Sequence, residues 1–132
     1  MNLVYKTNLI PDTDAIISVY RSSGINRPID DPERIASMFA NSNLVLTAWD
    51  GELLIGISRA LTDFNYSCYL SDLAISAEYQ KLGIGKKLVS LTKEAIGDQC
   101  MLLLVAAPEA INYYPKIGMD TVHHAFIIKR KA

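Results

Sequence analysis

The sequence predicts an α+β fold in which a mixed, mostly antiparallel twisted sheet of about six or seven strands is flanked by four helices. Three observations indicate this: helical apolar spacing over residues 12–41, strand-like patterns over residues 44–75, and an amphipathic helix followed by a continuous apolar run. The chain has 132 residues, half of them apolar, which suffices for one buried core. We therefore expect a single domain over residues 1–132.

Two helices are predicted near the start of the chain. The first begins with a cap at Asp12 or Thr13 and ends at Gly24. The second begins with Asp31 as its N-cap and Pro32 as its first helical residue, and it stops near residue 41. The apolar residues on their inward faces are Ile16, Ile17, Val19, Tyr20, Ile35, Met38 and Phe39.

Three strands follow as an antiparallel meander. Residues 44–49 and 52–61 form a hairpin whose turn, Asp50-Gly51, is typical of type I′. A polar bend leads to a third strand over residues 66–75. Because side chains alternate along an unbroken strand, Asp72 is predicted to share a face with Leu70 and Ala74.

The second half of the chain predicts a parallel crossover. An amphipathic helix begins at Ile84 and ends at Gly97, and residues 101–106 form a continuous apolar run typical of a central strand covered on both faces. A strand, helix, strand unit of this length makes the sheet mixed. Residues 108–116 indicate a short helix that ends at Gly118, and residues 121–122 and 125–129 indicate closing strands.

Charge and composition exclude several classes of function. The chain carries 13 Lys+Arg against 14 Asp+Glu, so we expect no nucleic-acid partner and no membrane partner. Its start lacks a basic region followed by an apolar one, which favours a cytoplasmic protein.

Cys68 and Cys100 lie in apolar runs and are expected to be buried thiols. No metal is expected, because the adjacent His123 and His124 would point to opposite faces of a strand.

A glycine-containing loop precedes the long helix, where unpaired N–H groups and the helix dipole favour an anion such as a pyrophosphate. A Walker A loop would need Gly in place of Gln80 and Ser or Thr in place of Lys87, and a dinucleotide fingerprint would need a small residue in place of Leu88. A glycine turn without a ligand is the remaining alternative. The residues of the candidate site are Gln80, Lys81, Leu82, Gly83, Ile84, Gly85 and Lys86.

In this context the chain resembles the GNAT superfamily of acyl-CoA-dependent N-acyltransferases, whose pyrophosphate loop reads Gln/Arg-x-x-Gly-x-Gly/Ala. Residues 80–85, Gln-Lys-Leu-Gly-Ile-Gly, match it fully, and residues 72–79 are similar to the family's strand and its approach to that loop. Residues 113–119, Tyr-Tyr-Pro-Lys-Ile-Gly-Met, are similar to its later aromatic-Tyr-x-Lys-x-Gly-Phe segment, with Met119 in place of Phe. The order of elements agrees over nearly the whole chain.

The resemblance implies acetyl-CoA as co-substrate, bound where two neighbouring strands splay apart. Its pantetheine arm would pair with the backbone near Leu73, Ala74 and Ile75, and its pyrophosphate would sit on the N–H groups of residues 82–86. By the same analogy, Lys116 approaches a phosphate of the cofactor. Asn112 is a candidate for a hydrogen bond to the cofactor arm. The alternative for both is an exposed, solvated side chain.

The implied reaction is direct attack of an amine on the thioester, with an oxyanion stabilised by a backbone N–H. Tyr114 is the candidate acid for the departing thiolate, with a packed aromatic as the alternative. Asp72 is the candidate base, with a structural hydrogen bond as the alternative, and it ranks ahead of the loop residue Glu78. The acceptor is expected to be a small-molecule or protein amine.

Two further expectations concern the protein as a whole. The rival to an enzyme is a non-catalytic acyl-CoA-binding sensor or subunit, which would keep Gly83 and Gly85 without needing Tyr114. The apolar stretch Phe126-Ile127-Ile128 near the end of the chain would leave a sheet edge for a second subunit, so a homodimer is expected.

Overall fold

The fold is α+β, as described by a computed structural model of residues 1–132. Five strands form one sheet, and four helices and two short 3₁₀ turns connect them. The strands are β1 Leu3–Thr7, β2 Leu44–Asp50, β3 Leu53–Thr62, β4 Ser67–Ile75 and β5 Met101–Leu103. The helices are α1 Thr13–Ser23, α2 Pro32–Ala40, α3 Ile84–Ile96 and α4 Tyr113–Lys116.

The sheet has the strand order β1-β2-β3-β4-β5, and its first four strands are antiparallel. β5 pairs in parallel with β4, and α3 makes the connection between them. The mixed sheet and its crossover helix are therefore confirmed. None of the helices has both the length and the apolarity that crossing a bilayer requires.

The strand count of six or seven was wrong, because the sheet ends at β5. The run at 101–106 is a three-residue edge strand rather than a covered central one, and Met101 is 52% exposed. Leu102 and Leu104 still pack on the core, which explains the apolar run. Residues 121–129 form no strand, since strand propensity requires a neighbour to pair with and this segment has none.

The helix ends lie where the sequence predicts them. Gly24 takes the left-handed conformation at the end of α1, and Asp31 accepts a hydrogen bond from the Arg34 N–H at the start of α2.

The β2–β3 hairpin is also confirmed, but its loop is Gly51-Glu52. Only Gly51 has a positive φ, so the turn is not type I′, which needs two such residues.

Two apolar clusters cover the faces of the sheet, one against α3 and one against α1 and α2. A β-bulge determines on which face of the sheet the side chains at the end of β4 lie. Arg59 of β3 lies opposite Asp72 but Ala60 lies opposite Leu70, so Ser71 is an extra residue. The bulge places Leu70 in the α3 cluster and Ala74 in the other, and the prediction that Asp72 shares a face with Leu70 was wrong.

Candidate active site

Pairing between β4 and β5 stops before the carboxyl end of β4, which leaves an unpaired stretch, the gap, on the β5 side of β4. Pairing with β5 is limited to Ser67, Cys68 and Tyr69, whereas β4 continues to Ile75. The chain leaves the sheet after Leu103, so the later residues of β4 have a strand partner only on the β3 side. Pairing with β5 therefore ends well before β4 does, as a splayed strand pair requires.

Backbone groups of Leu73 and Ile75 face this gap. The N–H of Ser76 donates to the carbonyl of Ile55, and backbone groups alternate in direction along a strand, so those of Ile75 and Leu73 point away from β3. The carbonyl of Ile75 indeed accepts a hydrogen bond from outside the sheet. The backbone of Ala74 points toward β3, so this residue does not offer the pairing expected of it.

The start of α3 presents unpaired N–H groups beside the gap. Gly83 caps the helix with φ of +82°, which favours glycine, and the first helical hydrogen bond runs from the Lys87 N–H to the Gly83 carbonyl. The N–H groups of Ile84, Gly85 and Lys86 consequently have no partner within the helix. Together with the helix dipole they form an arrangement suited to a phosphate group.

Gly85 is the point at which the helix, the gap and α4 meet. A Cβ at this position would lie 3.2 Å from the hydroxyl of Tyr113 and 3.8 Å from side-chain atoms of Ile75 and Leu73. The missing side chain thus leaves space between the helix and the end of β4. Tyr113, for which the sequence predicted no role, borders that space, and its place in the aromatic-Tyr segment is the signal that could have identified it.

The rest of the loop contributes in different ways. The Gln80 side-chain amide donates to the Ile75 carbonyl at 2.9 Å, so it ties the loop to the end of β4. Ile84 is buried in the core and has only its backbone to offer a ligand. Lys81, Leu82 and Lys86 are exposed, and Lys81 has a positive φ of +67°. The two lysines add positive charge at the mouth of the site.

Tyr114 is half-buried in α4, against the ring of Tyr113. The ring centroids are 5.1 Å apart at an interplanar angle of 78°, an edge-to-face contact. The Tyr114 carbonyl accepts hydrogen bonds from the N–H groups of Ile117 and Met119, which fixes the segment. Burial raises the pKa of the Tyr114 phenol, and the neighbouring Tyr113 raises it further.

Asn112 and Lys116 flank the two tyrosines, and both are exposed. Asn112 immediately precedes α4, and Lys116 is its last residue. Their roles toward a ligand remain predictions. No group of three or more His, Cys, Asp and Glu side chains is arranged to hold a metal ion.

Asp72 lies at the centre of a buried polar network on the α1 side of β4. Its Oδ2 accepts hydrogen bonds from the Tyr20 hydroxyl and Arg59 Nε, each at 2.7 Å. Its Oδ1 accepts from Arg27 Nε at 2.7 Å, from Arg59 Nη2 and from the Ser71 hydroxyl. Burial would raise the pKa of Asp72, but the hydrogen bonds and charges of the two arginines outweigh it and hold that pKa below its usual range.

This geometry favours the structural role for Asp72 over the role of a base. Both oxygens are occupied by donors, the side chain is 0% exposed, and a lowered pKa makes the carboxylate a weak proton acceptor. Arg27, Arg59 and Tyr20 were missed from the sequence because their contacts join residues 13 to 52 positions apart. Glu78, the other carboxylate considered, is exposed in the loop.

Comparison with known proteins identifies the family. Residues 41–118 match the family model described as the acetyltransferase (GNAT) domain, which is more than half of the chain. The fold and the site therefore belong to the acyltransferase class. The chain is a member of the GNAT acetyltransferase family.

Relatives and solved structures agree with this assignment. An uncharacterized N-acetyltransferase, ycf52, of Gracilaria tenuistipitata var. liui is 26% identical over 74% of this chain and 55% of its own. The chain spans about half the length of the curated relatives it matches.

Many solved structures share the fold, among them the following two. A probable acetyltransferase of meticillin-resistant Staphylococcus aureus has a TM-score of 0.79 at 20% identity, covering 96% of this chain and 100% of that one. The PaiA N-acetyltransferase of Thermoplasma acidophilum, solved with coenzyme A, has a TM-score of 0.69 at 21% identity, covering 93% and 94%. Likeness at these identities shows the fold alone.

Proposed function

We propose that this protein transfers an acetyl group from acetyl-CoA to a primary amine by direct attack of the amine on the thioester. The gap between β4 and β5, open to the unpaired N–H groups of α3, is the observation that carries the proposal. A ligand with an amide-bearing arm and a diphosphate can add to the strand edge and reach the helix start at once. Membership of the family and the coenzyme A bound to PaiA support the same donor.

In this proposal the backbone does most of the binding. The N–H groups of Leu73 and Ile75 face the arm and the thioester oxygen, where a fixed donor stabilises the charge that develops on attack. The N–H groups at Gly85 and its neighbours hold the diphosphate. Lys116 neutralises a phosphate, and Asn112 hydrogen-bonds the arm.

Tyr114 supplies the proton for the leaving group. The amine reacts in its neutral form: the carbon–nitrogen bond forms as the carbon–sulfur bond breaks, and the proton lost by the nitrogen passes to solvent water. Tyr114 gives its proton to the sulfur and regains one from solvent. An ordinary phenol is protonated at neutral pH, and burial, which raises the pKa of Tyr114, keeps it so; the driving force for the transfer comes from the basicity of the departing thiolate. The acceptor is a small-molecule or protein amine.

A thermal-shift titration with coenzyme A, acetyl-CoA, ATP and NAD tests the choice of ligand. We expect the coenzyme A compounds alone to raise Tm. The variant Gly85→Glu places a carboxylate and bulk in the ligand space, yet an acidic residue in the first turn suits a helix, so the fold should persist while the shift is lost. Ser90→Glu, on the exposed face of the same helix, is the matched control and should keep the shift.

The second candidate is a non-catalytic acyl-CoA sensor, and one observation favours it: Asp72, the carboxylate on β4, is fully engaged by Arg27 and Arg59. Turnover on an amine panel, followed by thiol release, separates the two. Binding with turnover supports the enzyme. Binding without turnover on any amine supports the sensor, and a shift with ATP or NAD alone overturns both.

A further inference from the structure

Two large apolar side chains, Leu61 and Tyr69, lie uncovered on one face of the sheet. They are direct cross-strand partners on β3 and β4, and each is 41% exposed. Ala60, Cys68 and Leu70, which neighbour them along the strands, belong to the α3 cluster. Because side chains alternate along a strand, Leu61 and Tyr69 face the other side, toward α1 and α2. Neither packs in the cluster that those helices cover, so the pair is open to a ligand.

This pair lies close to the inner end of the gap. Tyr69 is the last residue of β4 that pairs with β5. Leu73 and Tyr69 lie opposite positions of β3 that are three residues apart, so about 10 Å separates them along β4. Leu73 and Ile75 pack on the α3 cluster, which closes that side of the gap. An acceptor that attacks a thioester beside Leu73 therefore approaches over the face on which Leu61 and Tyr69 lie.

Arg27 lies on the same face, between the gap and the apolar pair. Its Nε donates to Oδ1 of Asp72 and its Nη2 to the carbonyl of Ser71, each at 2.7 Å. Its Nη1 donates to the carbonyl of Asn26. A guanidinium has five N–H donors, so these three contacts leave two unused. The side chain is also 26% exposed, so the unused donors are available to an acceptor.

The charges beside this approach do not cancel. The chain has two salt bridges, and they join Arg27 and Arg59 to the single carboxylate of Asp72. The network therefore has one positive charge in excess, and Arg27 is the more exposed of its two arginines. A carboxylate on the acceptor would balance this charge through hydrogen bonds to the guanidinium, whereas a second ammonium group would be repelled.

We propose that the acceptor is a free amino acid with an apolar side chain, an inference that rests on the proposed function. Its carboxylate accepts hydrogen bonds from the two unused N–H groups of Arg27, and its side chain packs on Leu61 and Tyr69. Its α-amine forms the carbon–nitrogen bond as the carbon–sulfur bond breaks. The proton of the nitrogen passes to solvent, Tyr114 protonates the sulfur, and the products are the N-acetyl amino acid and coenzyme A.

Turnover on four amines, followed by thiol release from acetyl-CoA, tests the class of acceptor. Phenylalanine should exceed phenethylamine, which lacks the carboxylate, and alanine, which lacks the ring, by about tenfold in kcat/KM. Spermidine, which carries several positive charges, should be the poorest substrate. If phenylalanine is no better than any of the other three, the amino-acid proposal falls while acetyl transfer to an amine stands. Coenzyme A binding without turnover on any amine would overturn the proposed function itself.

Substitution of Arg27 separates binding of the acceptor from the structural contacts of the same side chain. Arg27→Gln should lower the ratio of kcat/KM for phenylalanine to that for phenethylamine by about tenfold, because only phenylalanine has a carboxylate that loses its partner. A purely structural role would lower both constants together, and an unchanged ratio would overturn the proposal. Arg21→Gln, which replaces an exposed arginine of α1, is the matched control and should keep the wild-type ratio.

Substitution of Leu61 tests the apolar wall in the same way. Leu61→Ser should lower the ratio of kcat/KM for phenylalanine to that for alanine several-fold, with the KM for acetyl-CoA unchanged. Leu53→Ser, an exposed leucine at the other end of β3, is the matched control and should keep the ratio. An unchanged ratio in Leu61→Ser, or an equal fall in both variants, would contradict packing of the acceptor on this pair.

Discussion

The Nε atom of Arg59 lies 2.7 Å from Oδ2 of Asp72, across β3 and β4, where the two residues are direct cross-strand partners. The contact sits at the β-bulge, immediately before Leu73, whose backbone faces the gap. Arg27 reaches the same carboxylate from the α1–α2 connection and also donates to the Ser71 carbonyl. The network therefore fixes the strand edge that borders the candidate active site.

Replacing Asp72 with Asn should destabilise the fold severely. The change leaves Arg59 buried without its counter-charge, and breaking such a pair costs about 3–5 kcal/mol in the free energy of unfolding. Urea denaturation measures this loss. Glu52→Gln, which removes an exposed carboxylate from the hairpin loop, is the control and should change little. A loss below about 1 kcal/mol would refute the structural role.

The contribution of Asp72 to stability should depend on pH in one direction. Its pKa is lower in the folded chain than in the unfolded chain, so the stabilisation is fully present above the ordinary value of about 3.9 and is lost as pH falls through the folded pKa. Urea denaturation of the wild type and Asp72→Asn across this range should give stabilities that converge in acid. A difference that stays constant down to the lowest pH would contradict the lowered pKa.

Substitutions of the adjacent residues Tyr113 and Tyr114 should change different kinetic constants. Tyr114→Phe removes the proposed proton donor, so we expect kcat to fall by about 100-fold or more with binding of coenzyme A unchanged. Tyr113→Phe removes the hydroxyl beside Gly85, so we expect mainly a higher KM for acetyl-CoA. Tyr66→Phe, exposed and remote, is the control. A large loss of kcat in Tyr113→Phe, with only a higher KM in Tyr114→Phe, would instead assign the proton donor to Tyr113.

Gly56 should prove necessary for the packing of α3 on the sheet. A Cβ there would lie 3.0 Å from Ile75 Cδ1 and 3.3 Å from Leu88 Cδ1, so Gly56→Ala requires these side chains, at the end of β4 and on α3, to shift by a few tenths of an ångström. Overpacking of this kind costs about 1–3 kcal/mol, and we also expect weaker binding of coenzyme A. Denaturation and titration calorimetry measure the two effects against Ser67→Ala, an exposed change on β4. A Gly56→Ala variant with the stability and the coenzyme A affinity of the wild type would contradict this prediction.

Local sequence signals predicted much of the fold. Helix ends could be predicted because capping involves residues that are close together in the sequence. Gly24 takes the left-handed conformation after α1, Asp31 caps α2, and Gly83 precedes α3. The order of strands and the parallel crossover also followed from periodicity and length. The strands predicted at 121–122 and 125–129 are absent because pairing depends on a distant partner. The prediction of a central strand at 101–106 was wrong because a hydrophobic run does not show whether its strand is central or at an edge.

The same difference between local signals and distant contacts applies to the candidate site. The glycine loop was visible because its chemistry lies in consecutive residues. The bulge at Ser71 was not, since one extra residue in a pairing leaves no mark in the sequence of β4, and it reversed the face expected for Asp72. The roles of Arg27 and Arg59 depend on that bulge and could be seen only in three dimensions.

Hydrogen exchange of individual amides, with and without coenzyme A, tests most directly whether the gap between β4 and β5 is the binding site. Added coenzyme A should slow exchange at Leu73, Ile75 and Gly85, because their N–H groups would gain acceptors from the ligand. The Val4 amide, on β1 at the opposite edge of the sheet, should not change. Saturating coenzyme A that leaves Leu73, Ile75 and Gly85 exchanging as fast as in the free protein would contradict the proposal.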